Sequence, residues 1–125
     1  MNKGEDLPED RLFAARNIWL ATVRPDGRPH LVPVWFVWVR ERFYVCTAGQ
    51  SVKAKNLIAN PRASAALEDG DRPVIAEGRA TILTQPYPDD VAAEFKRKYG
   101  WDIATDDGYD VLIEIVPERW PMRHR

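Results

Sequence analysis

The stretch NIWLATVRPDGRPHLVPVWFVWV, residues 17–39, decides the fold class. Its first part, Asn17–Val23, is rich in β-branched and aromatic residues, which is typical of a β-strand. Pro25 and Gly27 follow at positions that a tight turn prefers. Residues 29–39 are again strand-like, so the whole stretch predicts a β-hairpin.

The second strand of this hairpin is apolar on both faces. Because side chains alternate along a strand, one face carries Val34, Phe36 and Trp38, and the other carries Trp35, Val37 and Val39. A half-solvated antiparallel sheet would alternate apolar and polar residues, so we expect both faces to be covered. The expected covers are a barrel interior on one side and a second subunit or a flat ligand on the other. Pro33 lacks a backbone N–H, which predicts a sheet edge, a bulge or the approach of something other than a strand.

The remaining chain predicts one predominantly β, barrel-like domain spanning residues 1–125. Gly78 lies inside a strand pattern and indicates a bulge or a close backbone approach. Four further strands are predicted, at residues 43–47, 62–67, 74–83 and 111–116. With the two strands of the hairpin they make six. Two or three short helices are predicted, at residues 8–15, 51–59 (capped by Ser51) and 89–99, and residues 118–125 are predicted to be a basic tail.

Composition excludes several classes of protein. Of 125 residues, 45% are hydrophobic and 30% are charged, which is ordinary for a globular domain. A net charge of −1 disfavours nucleic-acid binding, and a small barrel that binds single strands is the least favoured function. The longest apolar run, Leu31 to Val39, is far shorter than the about 20 residues of a membrane helix. The acidic, polar start of the chain resembles no signal peptide, so we expect a cytoplasmic protein without membrane contact.

An anion site is predicted where the third strand ends and the helix of residues 51–59 begins. Unpaired N–H groups at such a helix start attract anions, and Thr47 and Ser51 add hydroxyl donors. The first turn carries Lys53 and Lys55 but no acid, the reverse of what the helix dipole favours unless an anion binds there. The alternative is an ordinary capped surface helix whose lysines extend into solvent.

A flat ring is predicted to lie beside this anion site. Pro33, Val34 and Trp35 would contact the ring, partly through their backbone. A phosphate site next to an aromatic strand suits a ligand with a planar ring and a phosphorylated tail. The alternative is that these side chains pack in the core or between subunits.

No residue stands out as a catalytic acid, base or nucleophile. His30 and His124 lack partners at metal-ligand spacing, so no metal site is predicted. Cys46, the single cysteine, excludes an internal disulfide and is expected to be a small buried residue. The catalytic residues are therefore unknown, and in an enzyme of this kind a cofactor must carry the reaction.

Three motifs in order resemble the pyridoxamine 5′-phosphate oxidase-like FMN-binding split-barrel family, in particular its branch that uses flavin or the deazaflavin coenzyme F420. They are LATVRPDGRPHLVPVWF (20–36), SVKAKNLIANPRAS (51–64) and VIAEGRATI (74–82). The resemblance implies a mainly β fold, a six-stranded split β-barrel with two or three short helices. It also implies a homodimer with two cofactor sites along the subunit interface.

The resemblance also implies the cofactor-binding residues. The phosphate end is expected at Thr47, Ser51, Val52, Lys53 and Asn56, and the ring at Pro33, Val34 and Trp35. Lys55 stands where many relatives have arginine, and Asp71-Arg72-Pro73 replaces aromatic residues found in some deazaflavin-using relatives. Trp120 lies where relatives close the partner's pocket, and either that role or packing within its own chain is possible.

Two functions follow from these observations. The first is a flavin- or deazaflavin-dependent oxidoreductase that transfers hydride to or from a small, planar, conjugated substrate. FMN and F420 both remain open; an anionic oligoglutamate tail would need a basic groove, which Lys53, Lys55, Arg62 and Arg72 could form. The second is a non-catalytic module that binds or senses a flavin or another phosphorylated ligand. The residues that bind the vitamin substrate in pyridoxamine phosphate oxidases are not recognisable, so that activity is not predicted.

Overall fold

A computed structural model describes residues 7–125. The expectation that the chain has no signal peptide rests mostly on residues 1–6, which lie outside the described residues. The described strands are β1 (Asn17–Val23), β2 (Pro29–Trp35), β3 (Val37–Val39), β4 (Arg42–Thr47), β5 (Arg62–Leu67), β6 (Val74–Leu83) and β7 (Val111–Arg123). The described helices are α1 (Glu9–Ala14), α2 (Val52–Ala59), α3 (Asp89–Tyr99) and a 3-10 turn (Ile103–Thr105).

The strands form one antiparallel sheet in the order β2-β1-β5-β6-β7-β4-β3. The predicted mainly β class is therefore confirmed. The predicted count of six strands is wrong, because the described residues form seven. The sheet is also not closed by hydrogen bonds, since β2 and β3 are its two ends. Pro33 lies in the edge strand β2, which explains how the sheet tolerates its missing N–H.

The seventh strand arises because the strand predicted over residues 29–39 is interrupted at Phe36. The backbone N–H of Phe36 donates to the Tyr99 hydroxyl at 3.0 Å, and its carbonyl accepts from the Lys98 ammonium at 2.9 Å. Both partners belong to α3, which packs against β3. Side chains from a distant helix thus replace the strand partners at this residue, and the backbone polar groups stay satisfied.

The long pair β6–β7 contains the irregularity that Gly78 predicts. The register shifts on both sides of Glu77, and a Cβ on Gly78 would overlap the Val116 carbonyl oxygen. Glycine is therefore required for the two backbones to approach here. Beyond this point β7 continues, pairing Arg119 with Glu77 and Arg123 with Val74. The prediction of a basic tail over residues 118–125 is wrong, because the length of β6 gives that segment a strand partner.

Two hydrophobic clusters form the core. The larger one lies inside the curved sheet beneath α1 and includes Phe36, Trp38 and Phe43. The smaller one packs beneath α3 and includes Val37 and Phe95. The break at Phe36 thus lies between the two clusters.

Trp120 packs against the larger cluster. Its ring is 5.9 Å from that of Trp38 and 6.1 Å from that of Phe43. Trp120 thus packs within its own chain, and its closing of a partner's pocket stays a prediction.

Both longer helices have the ends that the sequence predicts. Ser51 caps α2 by accepting a hydrogen bond from the Ala54 N–H at 3.3 Å. Helix α3 ends at Gly100, whose positive φ of 66° favours glycine. No helix among the described residues is long and apolar enough to cross a membrane.

Candidate functional site

A cavity of about 590 Å³ brings five of the eight predicted cofactor-binding residues together. Three come from edge strand β2, one from the end of β4 and one from the first turn of α2: Pro33, Val34, Trp35, Thr47 and Lys53. Cys46, Gly100, Trp101 and Tyr109 complete the lining. The strand predicted to hold a ring and the helix start predicted to hold an anion therefore face one cavity.

The other three predicted residues do not line this cavity. Ser51 is the cap of α2, and Val52 is 46% exposed. Asn56 is buried, and its amide nitrogen donates to the Thr22 hydroxyl at 3.0 Å, which ties α2 to β1. Assignment of a cofactor contact to these three remains a prediction.

Lys53 is the cationic residue of the cavity. It is partly buried, and burial lowers the pKa of its ammonium group. Among residues 7–125, no carboxylate forms a salt bridge with it. Removing an unpaired cation from water is unfavourable, so an anion bound in the cavity would stabilise this side chain.

The loop between β4 and α2 is fixed by an acid from the far end of the chain. The N–H of Gly49 donates to the Asp110 carboxylate at 2.8 Å. This bond connects the loop that precedes Lys53 to the segment that precedes β7. The bond therefore connects two segments that lead to the cavity.

The cavity has an aromatic side that the sequence reasoning missed. Trp101 and Tyr109 lie in the connection between α3 and β7, and both line the cavity. Their rings are 5.5 Å apart, and the Trp101 ring is 6.1 Å from that of Trp35. Two aromatic residues in a loop after an amphipathic helix were the available signal, but nothing local connects them to β2.

The ring of Trp35 packs against Tyr99 and Arg16. Its ring stacks on Tyr99 at 4.4 Å with an interplanar angle of 7°, and the Arg16 guanidinium lies 4.8 Å from its centroid. The ring remains 41% exposed. Trp35 is thus a rigid, partly exposed wall of the cavity rather than a core residue.

Cys46 is buried, as predicted, although it also contributes to the cavity lining. Burial, together with nearby Asp106 and Asp110, raises the pKa of its thiol to about 12. The thiolate needed for nucleophilic attack is therefore absent near neutral pH.

His30 lies on β2. Burial, followed by the charges of Arg24 and Lys53, lowers the pKa of its imidazole. No group of three or more His, Cys, Asp and Glu side chains within the described part of the chain is arranged to hold a metal ion.

The basic residues proposed to form a groove are not gathered in one place. Lys53 lines the first cavity, whereas Arg62 lines a second cavity of about 580 Å³. Lys55 is exposed, and Arg72 donates to the carbonyl of Arg125 near the end of β7.

Comparison with known proteins places this chain in a family. The model of the family described as pyridoxamine 5′-phosphate oxidase matches residues 9–124. The chain belongs to this family. Among curated proteins, none matches the chain.

Solved structures agree with this assignment. The conserved hypothetical protein Rv2991 from Mycobacterium tuberculosis is 32% identical, with a TM-score of 0.77 over 96% of this chain and 82% of that one. An F420 reductase is 27% identical, with a TM-score of 0.71 over 90% of this chain and 94% of that one. The heme storage protein HutZ from Vibrio cholerae shares the fold at 23% identity, with a TM-score of 0.74 over 90% of this chain and 89% of that one.

Proposed function

We propose that this family member binds a flavin-type coenzyme, FMN or F420, in the cavity between β2 and α2, and acts as an oxidoreductase. The observation that carries the proposal is the partly buried ammonium of Lys53, which has no salt bridge within residues 7–125 and lies in the same cavity as Pro33, Val34 and Trp35. A ligand with an anionic end and a planar ring satisfies both features.

The chain's own residues would bind and orient the coenzyme. Lys53 would hold the phosphate by a charge-assisted hydrogen bond. Because β2 is a sheet edge, its outward backbone groups have no neighbouring strand and can hydrogen-bond to the ring. When bound, a flavin or deazaflavin supplies hydride transfer. The thiol of Cys46, with its pKa of about 12, supports a reaction carried by the coenzyme rather than by a side chain.

A homodimer is part of this proposal. Trp19 on β1 pairs with Pro33 on β2, so their side chains share the outer face of the sheet with Leu31 and Trp35. Trp19 and Trp35 are 41% exposed and Leu31 is 60% exposed. A contiguous apolar surface of this kind is typical of an interface, and a second copy would cover the face of β2 that this chain leaves open.

A non-catalytic binding module is the second candidate. The side chains lining the cavity include no histidine and no carboxylate, the commonest general acids and bases. The same fold is found in a heme storage protein. Steady turnover with an electron donor and a planar dye acceptor would support the oxidoreductase, whereas tight binding without turnover would support the module.

Parallel titration of the purified protein with FMN and with F420 tests the proposal. One of them should bind, and Lys53→Ala should weaken that binding by about 10- to 100-fold through loss of a charge-assisted hydrogen bond. Lys55→Ala is the matched control, since Lys55 lies on the same helix but is exposed and outside the cavity. Absence of binding by the wild-type protein would overturn the proposal, and equal effects of the two substitutions would overturn the role of Lys53.

A further inference from the structure

The connection between α3 and β7 forms a side of the cavity for which no role has been assigned. We call Trp101 and Tyr109 the aromatic wall. Both line the cavity, and Tyr109 is 48% exposed although its backbone carbonyl accepts from the buried Cys46 thiol at 3.6 Å. An aromatic ring that is exposed on a cavity but anchored through its backbone is suited to contact a ligand.

The aromatic wall is held in place by one carboxylate. Asp106 accepts hydrogen bonds from the Tyr109 N–H at 2.9 Å, from the Gly108 N–H at 3.0 Å and from the Trp101 indole N–H at 3.0 Å. The bond from the Tyr109 backbone, followed by that from the Trp101 indole, lowers the pKa of Asp106. The connection is therefore ordered by hydrogen bonds to one side chain.

Trp101 is also supported from behind. Its ring meets Phe95 of α3 edge-on at 5.6 Å and Trp35 of β2 at 6.1 Å. The wall is thus fixed relative to β2. A planar group entering the cavity would meet aromatic surfaces whose orientation is already set.

The cavity is polar at one place and aromatic at another. Lys53 is its cationic side chain, whereas the wall presents two aromatic rings. A ligand whose phosphate meets Lys53 must direct its other part toward apolar and aromatic side chains. We propose that the aromatic wall binds the planar conjugated ring of the ligand, with Tyr109 as the residue that contacts it. This inference rests on the proposed function and identifies the second surface that recognises the ring.

Riboflavin and FMN together test the inference, because they share the ring and differ by the phosphate. Tyr109→Ala should weaken the binding of both by about the same factor, roughly tenfold, since only the ring contact is lost. It should also reduce the quenching of flavin fluorescence at saturation, a readout independent of affinity. Tyr109→Phe keeps the ring and should bind both within about twofold of wild type. The backbone acceptor of Tyr109 is retained in both variants.

Phe13→Ala is the matched control. Phe13 is 46% exposed, close to the value for Tyr109, but it lies on α1 and does not line the cavity. If wild type binds FMN and Tyr109→Ala shows the same affinity and the same quenching, the proposed ring contact of the aromatic wall is wrong. The proposed function would still stand. If wild type binds neither FMN, riboflavin nor F420, the proposed function itself fails.

Discussion

Strands β2 and β3 come from one uninterrupted apolar stretch, yet they have opposite environments. Along β2, residues alternate between exposed and half-buried, and Leu31 is 60% exposed. In β3, Val37 and Trp38 are buried in the two core clusters. The difference shows that an apolar sequence requires a cover but does not specify which one. Helix α3 covers β3 within the chain, whereas the outer face of β2 stays exposed and is covered only in the proposed complex with a ligand or a second copy.

The largest expected effect is a difference in unfolding free energy between a substitution at the break and one in β2. Phe36→Ala, at a residue with no exposure, should lower the free energy of unfolding by about 3–5 kcal/mol. Leu31→Ala, on the face of β2 that is exposed within the chain, should change the free energy of unfolding of the monomer by less than about 0.5 kcal/mol. Urea unfolding at a protein concentration low enough for the monomer measures both. Similar losses in the two variants would contradict the division at Phe36.

The next effect tests what covers β2. Leu31→Glu should weaken self-association by at least about 100-fold, because each of the two subunits loses about 1.5–3 kcal/mol of apolar burial in the proposed dimer. Sedimentation velocity over a range of concentrations measures the change. Ile58→Glu is the control, since Ile58 is 69% exposed on α2, away from the β1–β2 face. Equal sedimentation of wild type and Leu31→Glu would argue against this face as the interface.

A smaller effect is expected at the junction between the strands. Tyr99→Phe keeps the ring stacked on Trp35 but removes the hydroxyl that accepts from the Phe36 N–H. The unpaired N–H should cost about 1–3 kcal/mol of unfolding free energy. Amide hydrogen exchange at Phe36 should accelerate more than exchange in the centre of β6. Unchanged exchange at Phe36 would mean that the Tyr99 hydroxyl does not protect it.

The smallest effect is a pH dependence at the same junction. Burial lowers the pKa of Lys98 to about 8, below the about 10.4 of an unfolded chain. Between these values the unfolded chain holds more protons, so this side chain's contribution to stability rises with pH. Wild type should therefore gain stability relative to Lys98→Met as the pH rises through that window. Lys96→Met is the control substitution, since Lys96 is exposed. If the stability of wild type relative to Lys98→Met fell as the pH rises, the assigned pKa shift of Lys98 would be contradicted.

Much of the fold could be predicted because its signals are local. The cap Ser51 and the breaker Asn60-Pro61 delimit α2, and residues 62–67 and 74–83 form strands with the predicted bounds. The break at Phe36 could not be predicted, since it depends on hydrogen bonds from side chains 62 and 63 residues away. The continuation of β7 likewise depends on the length of β6 and not on the composition of residues 118–123.

The residues of the candidate site also fall into those that local sequence predicts and those that depend on tertiary packing. Pro33, Val34, Trp35, Thr47 and Lys53 were recognisable from strand chemistry, a helix start and misplaced charge, and the structure brings them to one cavity. Trp101 and Tyr109 were missed because only the packing of α3 brings them to β2. Asn56 differs, since only the family resemblance implied its ligand contact; the structure gives it a buried bond to Thr22, and the contact stays a prediction.

The hydrogen bond from Gly49 to Asp110 has a consequence for association kinetics. It joins segments 61 residues apart and fixes the two approaches to the cavity before any ligand arrives. The entropy lost in ordering these segments is lost during folding and does not reduce affinity later. A ligand should therefore enter in a single kinetic phase, with a rate that increases linearly with concentration and shows no plateau from a slow rearrangement.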